Sequence, residues 1–146
     1  MANNASDYLE LKLLQHIFKN NGGAEFVPPA DNSIYVSLHT GSPADADDGA
    51  NEVTLGGYAR QNASDALTWT VSQAGGVTTS VNNQAIPFPQ ASANYDAQVT
   101  HIGIYDSLDD TGTNNLLFHG ALTVPKTVTT GDTFQINAGA LTITLE

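Results

Sequence analysis

From residue 33 onward the chain is a succession of short period-two segments separated by turn residues, and few folds accommodate that pattern. Ile34, Val36 and Leu38 alternate with Ser33, Tyr35, Ser37 and His39, so one side of this segment is apolar and the other polar. Near the C-terminus Leu141, Ile143 and Leu145 alternate with Thr142 and Thr144 in the same way. Between them, strands are predicted at 58–61, 67–71, 77–81, 85–88, 98–105, 115–122 and 133–136. Gly75-Gly76 has the composition of a tight hairpin turn. Pro87 and Pro89 confine their segment to a sheet edge, because proline cannot donate to the ladder. Strands recurring roughly every eight to twelve residues predict a mainly β fold, an antiparallel β-sandwich or jelly-roll-like domain. No internal repeat or linker divides the sequence, so residues 1–146 are expected to form a single β domain.

One helix precedes the strands. Residues 6–19 are predicted helical, with Asp7 and Glu10 spaced as a capping box and Ser6 as a second cap candidate. Leu9, Leu13 and Ile17 form one apolar row, flanked by Leu11, Leu14 and Phe18. Asn20-Asn21-Gly22-Gly23 ends the helix. The apolar arc is wide for so short an element. It packs either on the domain's own sheet, the plainer expectation, or on another subunit, which makes Leu9, Leu13 and Ile17 interface candidates.

Charge and composition exclude several functions. Fifteen acidic residues against four Lys and Arg give a formal net charge of −11, so nucleic-acid binding is not expected. The sequence has no cysteine, and hence no disulfide, thiol nucleophile or Cys-type zinc site. No stretch approaches the ~18 apolar residues of a membrane-spanning helix. The first seven residues lack the basic region of a secretory signal, so the chain is expected to be made and kept in the cytoplasm unless carried out whole.

Few residues suggest chemistry. The long acidic loop 40–52 carries Asp45, Asp47 and Asp48, followed by Glu52. These carboxylates are calcium candidates, but the spacing lacks the alternating ligands of an EF-hand, and a solvated loop is the plainer reading. Asp106, Asp109 and Asp110 read as an ordinary turn. His101 and His119 lie on separate predicted strands and could meet across a sheet. His16, His39, His101 and His119 form no HxH, HxxxH or HExxH motif. No nucleophile elbow or phosphate-binding loop occurs, so no catalytic residue, metal or cofactor is assigned. Trp69 alternates with threonines on a strand and is expected in the core rather than on a sugar-binding surface. Arg60, within Gly56-Gly57-Tyr58-Ala59-Arg60-Gln61, can bind a carboxylate with both arms of its fork. It is expected either in an internal ion pair or as a charged anchor to a neighbouring subunit. Gly56 and Gly57 permit positive φ or close backbone approach.

This hexapeptide, preceded by Val36-Ser37-Leu38-His39-Thr40 and Asn51-Glu52-Val53, resembles a family of small tailed-bacteriophage structural proteins commonly labelled phage tail fibre protein. The resemblance continues through Val99–Tyr105, Leu116–Leu122, Gly131-Asp132-Thr133-Phe134 and Gly139–Ile143. It implies a non-enzymatic virion structural protein, assembled in the host cytoplasm. Within that class a capsid decoration (cement) protein that stabilises the head is the first expectation, and a tail-fibre or baseplate-associated module the alternative. The implied partners are other virion proteins, either the major capsid protein or tail components, together with further copies of the chain in a homo-oligomer. Neither nucleic acid nor membrane is an expected partner.

Overall fold

The structure, a computed structural model, describes residues 3–18, 34–43, 50–64, 69–108 and 115–145. In chain order its elements are β1 (Asn3–Ala5), α1 (Asp7–Phe18), β2 (Tyr35–His39), β3 (Gln61–Asn62), β4 (Trp69–Ala74), β5 (Val77–Asn82), β6 (Ile86–Pro87), β7 (Val99–Tyr105), β8 (Leu116–Lys126), β9 (Gln135–Ile136) and β10 (Thr142–Leu145). The fold is mainly β with one N-terminal helix, and every strand pairing is antiparallel.

A five-stranded sheet in the order β1-β8-β7-β2-β3 faces two smaller sheets, β10-β5-β4 and β6-β9. The alternation read from the sequence explains the core. Val36 and Leu38 of β2, with Val99 and Ile102 of β7, point to one side of the large sheet. They meet Ile86, Phe88, Tyr95, Ile136 and Leu141 from the smaller sheets and their connections. Phe88 packs edge-on against Phe134 at 5.6 Å and is stacked with Tyr58 at 6.1 Å, arrangements that aromatic quadrupoles favour. Trp69 is half-buried at the margin of this core, and its indole N–H donates to the Ala63 carbonyl at 2.6 Å.

The Gly75-Gly76 turn joins β4 to β5, with φ of 60° and 87° at the two glycines. Pro87 sits in a two-residue strand that pairs only with β9. Several strand ends differ from the sequence expectation. Of the segment 58–61 only Gln61 joins a strand. β8 runs four residues past Leu122, to Lys126. β1 was not expected: Asn3-Asn4-Ala5 has no apolar alternation, and it becomes a strand by pairing with Phe118–Gly120.

The helix begins one residue later than expected, and its cap is Ser6 rather than Asp7. The Ser6 Oγ accepts from the Leu9 N–H at 3.3 Å, its carbonyl accepts from the Glu10 N–H, and the hydroxyl donates to the Leu116 carbonyl. Asp7 and Glu10 remain in the first turn, where the helix dipole favours negative charge. The expectation that the apolar arc packs on the domain's own sheet is corrected: no residue of α1 is buried. No helix among the described residues is long and apolar enough to cross a membrane.

Candidate functional site

Three features stand out beyond the core: a buried polar cluster behind the large sheet, an uncovered apolar helix, and an open cleft beside β8.

The polar cluster is built along the outer edge of β2. Beyond the acidic loop the chain returns antiparallel to β2: Thr40 N–H donates to Asn51 O, Val53 N–H to Leu38 O, and Glu52 lies opposite His39. It then leaves the edge through Gly56 and Gly57, both at φ near 70° (71° and 72°), and returns as β3 opposite Tyr35 and Val36. Across the gap, the Tyr58 hydroxyl accepts from the Leu38 N–H at 3.0 Å, replacing a missing strand partner. It donates to Glu52 Oε1 at 2.7 Å. Burial first, then the adjacent Glu52 carboxylate, push the Tyr58 phenol well above its usual range, so it stays a neutral donor.

Arg60 closes the clip. Its Nε and Nη2 donate to the two Glu52 oxygens at 2.8 and 2.6 Å, and Nη1 donates to Ser107 O at 3.1 Å. The guanidinium lies 3.8 Å over the Tyr105 ring. With Arg60 only 5% exposed, the internal ion pair is the role its geometry fulfils. The fork of Arg60 is engaged within the chain, by Glu52 and Ser107 O. Glu52, grouped by sequence with the acidic loop, is turned away from cation binding for the same reason. Asp45, Asp47 and Asp48 lie outside the described residues. Gly56 is required here, because a Cβ would fall 2.5 Å from the Ala93 carbonyl oxygen.

The polar side of β2 continues this cluster. His39 is fully buried, with Nδ1 2.9 Å from Ala50 O and Nε2 2.8 Å from Ser37 Oγ. The imidazole donates to the carbonyl through Nδ1 and accepts the serine proton at Nε2. Burial holds its pKa below the usual histidine value; the Ala50 bond and Glu52 oppose the shift, while Arg60 and His101 add to it. Gly103, opposite Ser37, leaves room for this pair, since a Cβ there would approach Ser37 Oγ to 2.6 Å. Ser37 and His39 have the spacing of a nucleophile and its base, but both are fully buried and the third partner is a backbone carbonyl rather than a carboxylate. The pair braces the sheet.

His101 and His119 are diagonal neighbours across β7 and β8, where Gly103 faces His119 and His101 faces Ala121. The His101 pKa is lowered by burial and then by His119. No cluster of three or more potential metal ligands occurs among the described residues. Asp106 binds the Asn115 backbone and side chain, at 3.0 and 2.6 Å, as a turn residue.

The helix has the opposite character. At about 100° per residue, Tyr8, Lys12 and Gln15 share one side, and all three are partly covered. Leu11, Leu13, Leu14, Ile17 and Phe18 occupy the other side and are 44–78% exposed. Leu9, the first of the three interface candidates, is half-buried, whereas Leu13 and Ile17 face outward. Periodicity revealed the apolar arc; it could not reveal which way the arc points.

A third feature had no sequence signal. An open cleft of about 610 Å³ separates the second half of β8 from the segment carrying β9. Ile102, Ile136 and Leu141 line it, with Val124 and Lys126 also in its wall.

No match was found among curated proteins. The sequence matches the family described as Podophage GP4 fiber I protein gp80 over residues 4–144. That span takes in α1, the Glu52–Arg60 clip and every strand but the first and last residues of the sheet system, and the chain belongs to this podophage fiber I protein family.

Proposed function

We propose that the protein is a non-enzymatic structural subunit of a phage particle, built into a tail fibre, with α1 as a surface covered on assembly. The observation that carries this reading is the direction of the helix. Five large apolar side chains face solvent while Lys12 and Gln15 face the body of the chain. Contiguous exposed apolar surface of this kind marks an interaction site. Buried apolar anchors usually dominate the energetics of such contacts. Leu13 and Ile17 are the assigned contact residues, with Leu9 at the margin.

The family description favours a fibre over head decoration, and the acidic surface is compatible with both. Copy number separates them. Quantitative protein analysis of purified particles is expected to return a few copies to a few dozen per virion; hundreds of copies would replace the fibre reading with head decoration. Ile17→Asp is expected to be excluded from particles while remaining folded. Normal incorporation would remove α1 as the contact surface.

A further inference from the structure

We propose that α1 of one copy docks into the β8–β9 cleft of a second copy, giving a head-to-tail contact between identical chains. This rests on the reading of α1 as a surface covered on assembly, and adds its partner.

Both surfaces are open in the single chain: Leu11, Leu13, Leu14, Ile17 and Phe18 on the helix, and Val124 in the cleft wall, are exposed. The helix starts beside Leu116 and Leu117, to which Ser6 is bonded, whereas the cleft begins beside Ala121, further along β8. The cleft lies where the strand register shifts. Val99 pairs with Lys126 and His101 with Ala121, so two steps along β7 match five along β8. In this stretch Val124 is 58% exposed, and with the half-buried Leu122 and Phe134 it forms the apolar wall of the cleft, beside the buried Ile102, Ile136 and Leu141. Among the described residues, β8 pairs with β1 at Phe118–Gly120. An apolar helix face fits such a wall in the helix-in-groove manner.

Charge identifies the occupant. Copies of a chain with net charge −11 repel one another, so self-association needs a place where the acidic surface is relieved. Lys126, one of only four Lys and Arg residues, lines the cleft and is exposed. Asp132 also lines it and remains a carboxylate, held by the Thr129 N–H and hydroxyl at 2.9 and 2.8 Å, so the cleft is close to neutral where the rest of the chain is acidic. The first turn of α1 presents Asp7 and Glu10, both exposed, next to the apolar arc. In the proposed contact the arc packs against the cleft wall and Asp7 and Glu10 pair with Lys126. An exposed pair contributes little affinity, but it sets orientation. Each copy carries one helix and one cleft, so the contact is heterologous and closes a ring where the rotation permits.

Mixing two variants tests the contact. Leu14→Asp removes the helix face and Val124→Asp the cleft wall; both positions are more than half exposed, and circular dichroism checks that each variant folds. Analytical ultracentrifugation of the full chain is expected to show concentration-dependent association, weakened at least about tenfold by either variant. Mixed, the two variants should form a one-to-one heterodimer and nothing larger, since one intact helix meets one intact cleft. A monomeric parent chain, or no heterodimer on mixing, overturns the proposal. A defect in Leu14→Asp with none in Val124→Asp also overturns it, yet leaves α1 as a contact with another virion protein.

Discussion

Removing Arg60 should damage the fold far more than its position on the surface side of the sheet suggests. Arg60→Ala deletes two charge-assisted hydrogen bonds to Glu52, one to Ser107 O and the contact with Tyr105. The larger effect is on what remains. The Glu52 carboxylate, whose side chain is 14% exposed, is left beside an apolar ring and the Tyr58 hydroxyl without its counter-charge. Breaking a buried pair from one side costs about 3–5 kcal/mol. Glu52 retains some water, so the lower end applies, about 3 kcal/mol. For a chain of 146 residues this is a fall in Tm on the order of 10 °C. Urea denaturation followed by the fluorescence of the single tryptophan, Trp69, measures it directly. Glu52→Gln in the Arg60→Ala background should restore at least about 1 kcal/mol, because the amide needs no counter-ion while Tyr58 can still donate to it. Arg60→Lys should fall between the parent and alanine, since an ammonium cannot hold both oxygens and cover Tyr105. A loss below about 0.5 kcal/mol for Arg60→Ala, the level of an ordinary surface substitution, would refute the argument. So would strict additivity with Glu52→Gln.

Acid should weaken the protein through His39. Its folded pKa is lowered by burial, so the unfolded chain takes up the proton first. The contribution of neutral His39 is complete above about pH 6.5 and is lost as pH falls below that value, by up to ~1.4 kcal/mol per unit. Urea midpoints between pH 7.5 and 5 should fall accordingly, and His39→Gln should flatten the trend; an unchanged slope would place the titration elsewhere. Gly56→Ala should cost more than Gly75→Ala. Both glycines have positive φ, but only Gly56 has a carbonyl in the way of a Cβ, whereas Gly75 faces open space. The turn variant should lose about 1 kcal/mol and the Gly56 variant clearly more, read as the difference between two thermal melts.

The β architecture was legible because period-two alternation is a local property. Val36 and Leu38 declare a covered face whatever sheet they join, whereas the same alternation at Leu141, Ile143 and Leu145 leaves Leu145 50% exposed. Turn residues such as Gly75-Gly76 declare where the chain reverses. β1 was not legible, since Asn3–Ala5 is a strand only by virtue of β8, and strand pairing is a non-local event. The hexapeptide could be singled out, and a carboxylate partner for Arg60 could be expected. That the partner is Glu52, rather than any of the other acids, depends on the chain returning along β2 between Asn51 and Val53.

Most strand segments, the turns, the helix and the shortage of positive charge can be read locally, because propensity, alternation and composition are written residue by residue, while β1 and most of 58–61 cannot. The tertiary structure alone decided that α1 turns its leucines to solvent, that Arg60 is enclosed, and that a cleft lies where β8 shifts register against β7. The physical reason is common to all three. A side chain's partner is set by which distant segments the sheet brings alongside it, and an amphipathic pattern specifies an apolar face without specifying what covers it.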